Sequence, residues 1–286
     1  MNLLRRTPAS EDISPTAHYT GYVWYRHGLS HPALVTPEGR LMYHAARPMN
    51  AASRRFGGPT LEGFLLARHH AIDSLLDEAI AVGKVSQVIE IAAGLSPRGW
   101  DFTRRYGDRI AYVEADLPHM ARRKRARLAS AGLQSPRHRV VALDALADDG
   151  PLSLAELGRT LDPGAGVAII TEGLLNYFDR PAVLGMWRRF AAALKRFPVG
   201  LYLSDLHLGS ENHGASMRVF SEMLGRFVRG GIHMHFHTVA EAEEALRRSG
   251  FDSARLLTPQ PQVSSTGVID RRGAALVRIV TARTGG

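Results

Sequence analysis

Five carboxylates stand at or just after the ends of successive apolar runs in this sequence. They are Glu90, Asp116, Asp144, Glu172 and Asp205. Short runs rich in β-branched residues are typical of buried parallel strands, and ligands of open α/β sheets bind at the carboxyl ends of such strands. A rim of carboxylates at that edge favours hydroxyl, amino and cationic groups of a ligand over phosphates.

The first of these strands, around Val88–Ile91, leads into a turn of small residues. Ala92, Ala93 and Gly94 let the backbone approach a ligand closely, and the helix that begins near Gly99 offers free N–H groups at its start. The dinucleotide fingerprint G-x-G-x-x-G is absent, because Ala92 stands where its first glycine would be. The turn alone also fits an ordinary strand-to-helix connection.

Two residues near this turn have types and positions that suit ligand binding. Asp116 follows the second strand roughly 20 residues beyond the turn, where a partner of a ribose diol is expected. Arg68 lies among apolar residues on a helix predicted over 61–81, and a buried guanidinium is costly unless it meets an anion. We expect Arg68 either to form a surface ion pair with Asp73 or another acid, or to hold a ligand carboxylate.

Strands that alternate with helices position these residues. Strands are predicted over 88–91, 109–115, 139–143, 166–171 and 200–206, and helices over 61–81, 99–106, 120–131, 152–161 and 181–197. This alternation predicts βαβ units and hence a doubly wound, mostly parallel α/β sheet. Residues 251–257 and 274–281 are predicted to close the sheet as an antiparallel pair of strands.

The N-terminal segment, residues 1–50, is rich in proline, histidine and aromatic side chains and is predicted to be irregular. It either packs on the core or covers a pocket. In the second case the lining residues would be Tyr19, Tyr22 and Trp24.

A helical insertion is predicted over 210–232, after the fifth strand. His233, His235 and His237 follow it at a period of two, which places them on one side of an extended segment. They have no nearby carboxylate to complete a tetrahedral site, so we expect no metal there.

Composition limits the class of protein. The chain has 286 residues, no cysteine and a formal net charge of +9 that is carried mostly by arginine. Disulfides and a cysteine nucleophile are therefore excluded. The charge indicates either a polyanionic partner such as nucleic acid or, as we favour, an arginine-rich composition with solvated side chains. No apolar run reaches the ~20 residues of a membrane span, and the first residues lack the apolar core of a signal peptide, so we expect a cytoplasmic protein.

The carboxylate rim without a glycine-rich phosphate loop argues against ATP or NAD as the ligand. It suits a cofactor with hydroxyls, an adenine amino group, an ammonium and a sulfonium, which together describe S-adenosylmethionine. The alternative is that acids at strand ends only cap helices and loops.

Three motifs strengthen this interpretation: EIAAGLSPRG over 90–99, YVEADLP over 112–118 and TEGLLNYF over 171–178. In this order and at these intervals they resemble the leucine carboxyl methyltransferase family, whose bacterial members include O-methyltransferases of polyketide biosynthesis. The resemblance covers roughly residues 60–207. It implies a class I methyltransferase fold with a seven-stranded, Rossmann-like sheet whose last strand is antiparallel. It also implies an N-terminal helical cap, taken as residues 1–60, before a methyltransferase domain over 61–286 with a lid at about 210–232.

The resemblance also implies roles for single residues. Arg68 would grip the methionine carboxylate, and Glu172 would lie near the methionine end of the cofactor. The other cofactor-binding candidates are Glu90, Ala92, Gly94, Asp116 at the ribose, and Asp144 with Ala145 beside the adenine. Ala92 departs from the family because it replaces a glycine, and Ser96-Pro97-Arg98 replaces the usual Asp-Thr-Arg.

The predicted function is methyl transfer from S-adenosylmethionine to a carboxylate or hydroxyl of a small secondary metabolite. A hydroxyl acceptor needs a general base, for which His207 is the candidate, and Tyr177 and Asn176 are candidates for positioning the acceptor. Two alternatives stay open: a nucleic-acid methyltransferase, suggested by the net charge, and a non-catalytic protein that binds S-adenosylmethionine, suggested by Ala92. The sequence leaves the oligomeric state open.

Overall fold

A seven-stranded sheet forms the centre of the computed structural model, which describes residues 15–56, 58–211, 233–260, 263–264, 267–268 and 271–285. The strands are β1 (Gln87–Ile91), β2 (Ala111–Asp116), β3 (His138–Ala142), β4 (Val167–Thr171), β5 (Gly200–Leu206), β6 (Ser253–Leu257) and β7 (Arg278–Thr284). Their order is β3-β2-β1-β4-β5-β7-β6. Strands β1 to β5 pair in parallel, whereas β7 is antiparallel to both β5 and β6. The predicted class I fold with an antiparallel last strand is confirmed.

Helices cover both faces of this sheet. They are α1 (Pro15–Arg26), α2 (Pro37–Arg55), α3 (Leu61–Ala81), α4 (Arg98–Tyr106), α5 (Pro118–Ser130), α6 (Leu154–Gly158), α7 (Arg180–Leu194), α8 (Val239–Arg248) and the short α9 (Arg271–Ala274). Thr60 and Thr238 begin α3 and α8, since each hydroxyl accepts the N–H three residues on, at 3.0 and 3.2 Å. No helix within the described ranges is long and apolar enough to cross a membrane.

Side-chain alternation along β1 divides the core into two layers. Ile89 and Ile91 pack into a cluster with α7 and α8, whereas Val88 packs into a second cluster with α1 and α3. Glu90 shares the face of Val88, and its carboxylate therefore points towards the side of the sheet that α3 covers. This alternation places an acid of β1 next to the helix that carries Arg68.

The N-terminal segment differs from the irregular structure that its composition predicted and agrees with the helical cap that the family resemblance implied, because residues 15–26 and 37–55 are helical. All six residues from Tyr19 to Trp24 are buried, so α1 has no polar stripe in that stretch and shows no amphipathic period. Helix α2 continues through Pro48, which argued against a helix in the sequence. The predicted insertion over 210–232 lies almost entirely outside the described residues.

Candidate functional site

A cavity of about 400 Å³ opens at the carboxyl ends of β1, β2 and β4. Six of the eight predicted cofactor-binding residues line it: Arg68, Glu90, Ala92, Gly94, Asp116 and Glu172. Helix α1 contributes to the wall opposite the sheet, with Ala17, Thr20 and Trp24 among the lining residues. Three of the five carboxylates singled out in the sequence, Glu90, Asp116 and Glu172, therefore share one cavity with the guanidinium of Arg68, whereas Asp144 and Asp205 do not line it.

The turn after β1 is fixed to the end of β2. The N–H of Gly94 donates to Oδ2 of Asp116 at 2.7 Å, and the N–H of Leu117 donates to Oδ1 at 2.7 Å. Ala92 has a φ of +55° and Gly94 a φ of +49°. Among the described non-glycine residues, only Ala92 has a positive φ, so it keeps the backbone conformation that glycine adopts freely. Burial raises the pKa of Asp116 despite these two hydrogen bonds.

Arg68 is buried and is engaged on two of its three nitrogens. Its Nε donates to Glu172 at 3.0 Å and its Nη1 to Asp205 at 3.1 Å, so it pairs with acids other than Asp73, and these ion pairs are buried rather than at the surface as expected. Nη2 donates to no residue in the described part of the chain. A Cβ at Gly173 would lie 2.9 Å from Nη2 of Arg68, which is closer than a Cβ normally comes to another atom. A glycine at this position therefore avoids a clash with the guanidinium.

Arg98, at the start of α4, is the main residue of the site that the sequence analysis missed. Its side chain is fully buried and donates to Asp73 at 2.5 Å, to Glu90 at 2.5 Å and to Glu172 at 2.6 Å. Burial opposes its charge, but these carboxylates raise its pKa well above the usual value. The argument applied to Arg68, that a guanidinium among apolar residues must meet an anion, would have identified Arg98 in the small-residue turn.

Glu172 is the acid at which the two arginines meet. Its Oε2 lies 2.9 Å from Nδ1 of His69 and accepts from Arg98, while Oε1 accepts from Arg68. Burial alone would raise the pKa of Glu172, but His69 and the two arginines hold it well below the usual value. We refer to Arg68, His69, Asp73, Glu90, Arg98, Glu172 and Asp205 as the buried charge network.

Glu90 behaves differently from Glu172, although both carboxylates line the cavity. Its Oε1 accepts from Arg98 and its Oε2 from the hydroxyl of Tyr112 at 2.9 Å. Burial raises its pKa more than Arg98 lowers it. The two acids of the cavity floor therefore have pKa values shifted in opposite directions.

The three residues proposed for catalysis are separated by the structure. Tyr177 lines the cavity and is about one-third exposed (36%). Asn176 is not among the lining residues. Its side-chain Nδ2 donates to the backbone carbonyl of His233 at 3.0 Å, and its backbone carbonyl accepts the N–H of His233 at 3.1 Å. Asn176 thus fixes the chain that follows residue 232.

His207 does not reach the cavity either. Its Nδ1 donates to the carbonyl of Leu276 at 2.9 Å, and its ring lies 5.2 Å from that of Phe64. Burial lowers its pKa. The strand-end position that suggested a general base is correct, but the side chain packs between α3 and the chain before β7, so the structure does not support that role.

Asp144 and Ala145 lie just beyond β3 and are not among the lining residues. Oδ1 of Asp144 accepts the N–H of Leu146 at 2.9 Å, a bond that shapes the local turn. Of the aromatic residues expected in the cap, Trp24 lines the cavity. Tyr19 and Tyr22 instead contact α2, where the hydroxyl of Tyr19 accepts from Asn50 at 3.3 Å and the ring of Tyr22 packs on that of Tyr43.

Known proteins resemble this chain in sequence over one region and in fold over nearly all of it. No curated protein matches the sequence. A putative methyltransferase from Thermobifida fusca has 15% identity and a TM-score of 0.64, covering 98% of this chain and 99% of its own. A DUF574 family protein from Streptomyces avermitilis has 17% identity and a TM-score of 0.58, with 94% and 95% coverage. The apo S-adenosylmethionine-dependent methyltransferase SibL has 18% identity and a TM-score of 0.54, with 95% and 70% coverage.

These structural likenesses bear on the fold alone, whereas the sequence match identifies the family. The family model described as leucine carboxyl methyltransferase matches residues 30–191, more than half of the chain. That region contains the turn after β1, Asp116, both buried arginines and the Glu172 motif. The chain therefore belongs to the leucine carboxyl methyltransferase family, and S-adenosylmethionine is its methyl donor.

Proposed function

We propose that this protein is an O-methyltransferase that methylates a carboxylate or hydroxyl of a small, polyketide-like secondary metabolite. The observation that carries the proposal is the shared cavity in which three carboxylates and one guanidinium face an apolar wall. A family named for carboxyl methylation supports an oxygen acceptor.

The charged residues of the cavity fit S-adenosylmethionine. Arg68 Nη2 bonds to none of the described residues and can bind the methionine carboxylate, and Glu172 beside it can attract the ammonium. Asp116 is held by two backbone N–H groups and still has lone pairs for ribose hydroxyls. A cavity of about 400 Å³ that is lined by acids and lacks a phosphate-binding glycine loop suits this cofactor better than a nucleotide phosphate.

The bound cofactor supplies a methyl group already activated by the sulfonium. The chain itself has to align the acceptor with that methyl and exclude water. Leu174, Tyr177 and Phe178 form the apolar wall beyond Glu172 and are suited to both tasks. A carboxylate acceptor needs no general base, which agrees with the position of His207 outside the cavity.

The proposal is tested by ligand binding and by methyl transfer. S-adenosylhomocysteine at 100 times its Kd should stabilise the protein by about 2.7 kcal/mol, because it binds the folded state alone. Asp116→Ala should remove most of that stabilisation, and Asp149→Ala, at an exposed position, should keep it. Labelled methyl should then pass to aromatic acids or phenols of polyketide type.

Two results would overturn the proposal. One is a melting temperature that S-adenosylhomocysteine does not change. The other is binding of the cofactor without methyl transfer to any oxygen acceptor, which would favour a non-catalytic binding protein.

A further inference from the structure

Two polar atoms of α1 are buried at the cavity without a hydrogen-bond partner. Thr20 is 3% exposed and Trp24 is 6% exposed, and both residues line the cavity. Neither Oγ1 of Thr20 nor Nε1 of Trp24 bonds to a residue in the described ranges. Burying an unpaired donor costs free energy that a native fold seldom leaves uncompensated. What distinguishes these two atoms from other unpaired buried atoms of the described residues, such as Nε1 of Trp187, is that their residues line the cavity, where a bound ligand would supply the missing partner.

Their positions place that ligand at the wall between α1 and α3. Residues 20 and 24 are one turn apart on α1, so their side chains are neighbours on one face of the helix. The Trp24 ring lies 4.7 Å from the ring of His69, which is adjacent to Arg68 in the sequence of α3. His69 also contacts Glu172, the partner of Arg68. Thr20, Trp24 and Arg68 thus belong to one end of the cavity.

The chemistry of these groups selects an anion. An indole N–H can only donate, a guanidinium can only donate, and a threonine hydroxyl can do so as well. Arg68 is the only arginine or lysine among the described residues that line the cavity. Glu90 and Asp116 line the cavity away from Arg68 and repel a negative group, and Glu172 beside Arg68 is already paired with Arg68 and Arg98.

We propose that Trp24 Nε1 and Thr20 Oγ1 donate hydrogen bonds to the methionine carboxylate of S-adenosylmethionine, beside Nη2 of Arg68. This inference rests on the proposed function only in that the cavity holds this cofactor. Helix α1 is then part of the binding site itself, and the carboxylate explains why two buried donors have no partner among the residues that the structure describes. Thr20 and Trp24 thereby contribute to the affinity and the specificity of the site for the amino-acid end of the cofactor.

The test compares two ligands that differ by the carboxylate alone, S-adenosylmethionine and decarboxylated S-adenosylmethionine. Calorimetry on the full chain should show that Trp24→Phe weakens binding of the first about tenfold, the loss typical of a hydrogen bond to a charged group. Thr20→Val, which removes the hydroxyl and keeps the shape, should weaken it about fivefold. Both variants should bind the decarboxylated ligand within twofold of the unsubstituted chain.

Trp187→Phe is the matched control. Its indole is more deeply buried than that of Trp24, stacks on Phe236 at 5.2 Å and does not line the cavity, so neither affinity should change. NMR provides a second readout, because the chain has three tryptophans and hence three indole N–H signals. The signal that is missing in Trp24→Phe should shift downfield with S-adenosylmethionine and not with the decarboxylated ligand.

Equal losses for both ligands, or no loss in either variant, would overturn the inference. If Trp24→Phe does not fold, Thr20→Val and the indole signal of the unsubstituted chain still decide it. Failure of the proposed function is distinguishable: the unsubstituted chain would then either bind neither ligand or bind the cofactor without methyl transfer, and neither result resembles a loss that is confined to the carboxylate-bearing ligand.

Discussion

Replacing Ala92 by glycine should make this protein more stable, although glycine generally destabilises a folded chain. Ala92 has a φ of +55° in the turn after β1, where the Cβ of an L-residue crowds the following carbonyl. Glycine has no Cβ and adopts this conformation without that cost. The change in the free energy of unfolding therefore reports the conformational cost of the alanine, and the change in affinity reports the role of the turn in binding.

The expected gain follows from two opposing terms. An L-residue in the left-handed region costs about 1–2 kcal/mol, and the larger freedom of an unfolded glycine returns about 0.5–1 kcal/mol of that gain. Ala92→Gly should thus raise the free energy of unfolding by about 0.5–1 kcal/mol. For a chain of this length the melting temperature should rise by roughly 1–3 °C.

Ala93→Gly is the matched control, since Ala93 is the next residue of the same turn and does not have a positive φ. It should lower the free energy of unfolding by about 1 kcal/mol, through backbone freedom and one lost buried methyl. Urea unfolding of both variants measures the difference. The affinity for S-adenosylhomocysteine should stay within twofold in Ala92→Gly, because the backbone conformation is retained.

Equal destabilisation by the two variants would refute this reasoning, since it would mean that the alanine at 92 carries no conformational cost. A tenfold change in the affinity of Ala92→Gly would instead show that the Cβ of Ala92 itself contacts the cofactor.

Three further predictions concern the buried charge network. Arg98→Met leaves three carboxylates without their shared cation and should lower the free energy of unfolding by about 3–5 kcal/mol in a urea titration. Gly173→Ala inserts a Cβ 2.9 Å from the guanidinium of Arg68 and should weaken S-adenosylhomocysteine at least tenfold by calorimetry. Glu172 has a lowered pKa in the folded state, so its contribution to stability is present above the unfolded pKa near 4.5 and is lost as the pH falls. Glu172→Gln should therefore reduce the slope of unfolding free energy against pH below 4.5 by up to ~1.4 kcal/mol per pH unit.

Each of these predictions has a control at an equivalent position. Arg104→Met breaks an exposed ion pair with Asp101 and should change stability by less than about 1 kcal/mol. Gly107→Ala imposes a similar positive φ, +55°, with no atom near the new Cβ, and should leave the affinity unchanged. Glu78→Gln removes an exposed carboxyl of α3 and should not alter the acid slope. If a control and its variant behaved alike, the role assigned to the network residue would be wrong.

Elements with a clear apolar period could be predicted from the sequence nearly to the residue. Helix α3 and strand β5 begin and end where the pattern predicts, because α3 has apolar residues at helical spacing and β5 is a short run that is buried along its whole length. Helix α1 could not be found in this way. Its residues from Tyr19 to Trp24 are buried on every side, and tertiary packing rather than periodicity stabilises them.

The site shows the same division between local pattern and tertiary contact. Asp116 could be predicted because its position depends on strand ends, which are local features. The partners of Arg98 could not, since Asp73, Glu90 and Glu172 come from three separate parts of the chain. His207 shows most directly what the sequence does not predict. The end of β5 was located correctly, but which residues surround a side chain at that strand end depends on the whole fold.

The apolar wall of Leu174, Tyr177 and Phe178 shares no side-chain hydrogen bond or ion pair with the buried charge network in the described ranges. Leu174 and Phe178 can consequently be exchanged without changing the charges around the acids and arginines beneath the cofactor, whereas Tyr177 has an electrostatic interaction with Arg68. A lineage, or a protein engineer, could diversify the acceptor range at these positions while the methyl-donor platform stays intact. The separation between an invariant platform and a replaceable wall is a physical reason why one such scaffold can serve many small-molecule acceptors.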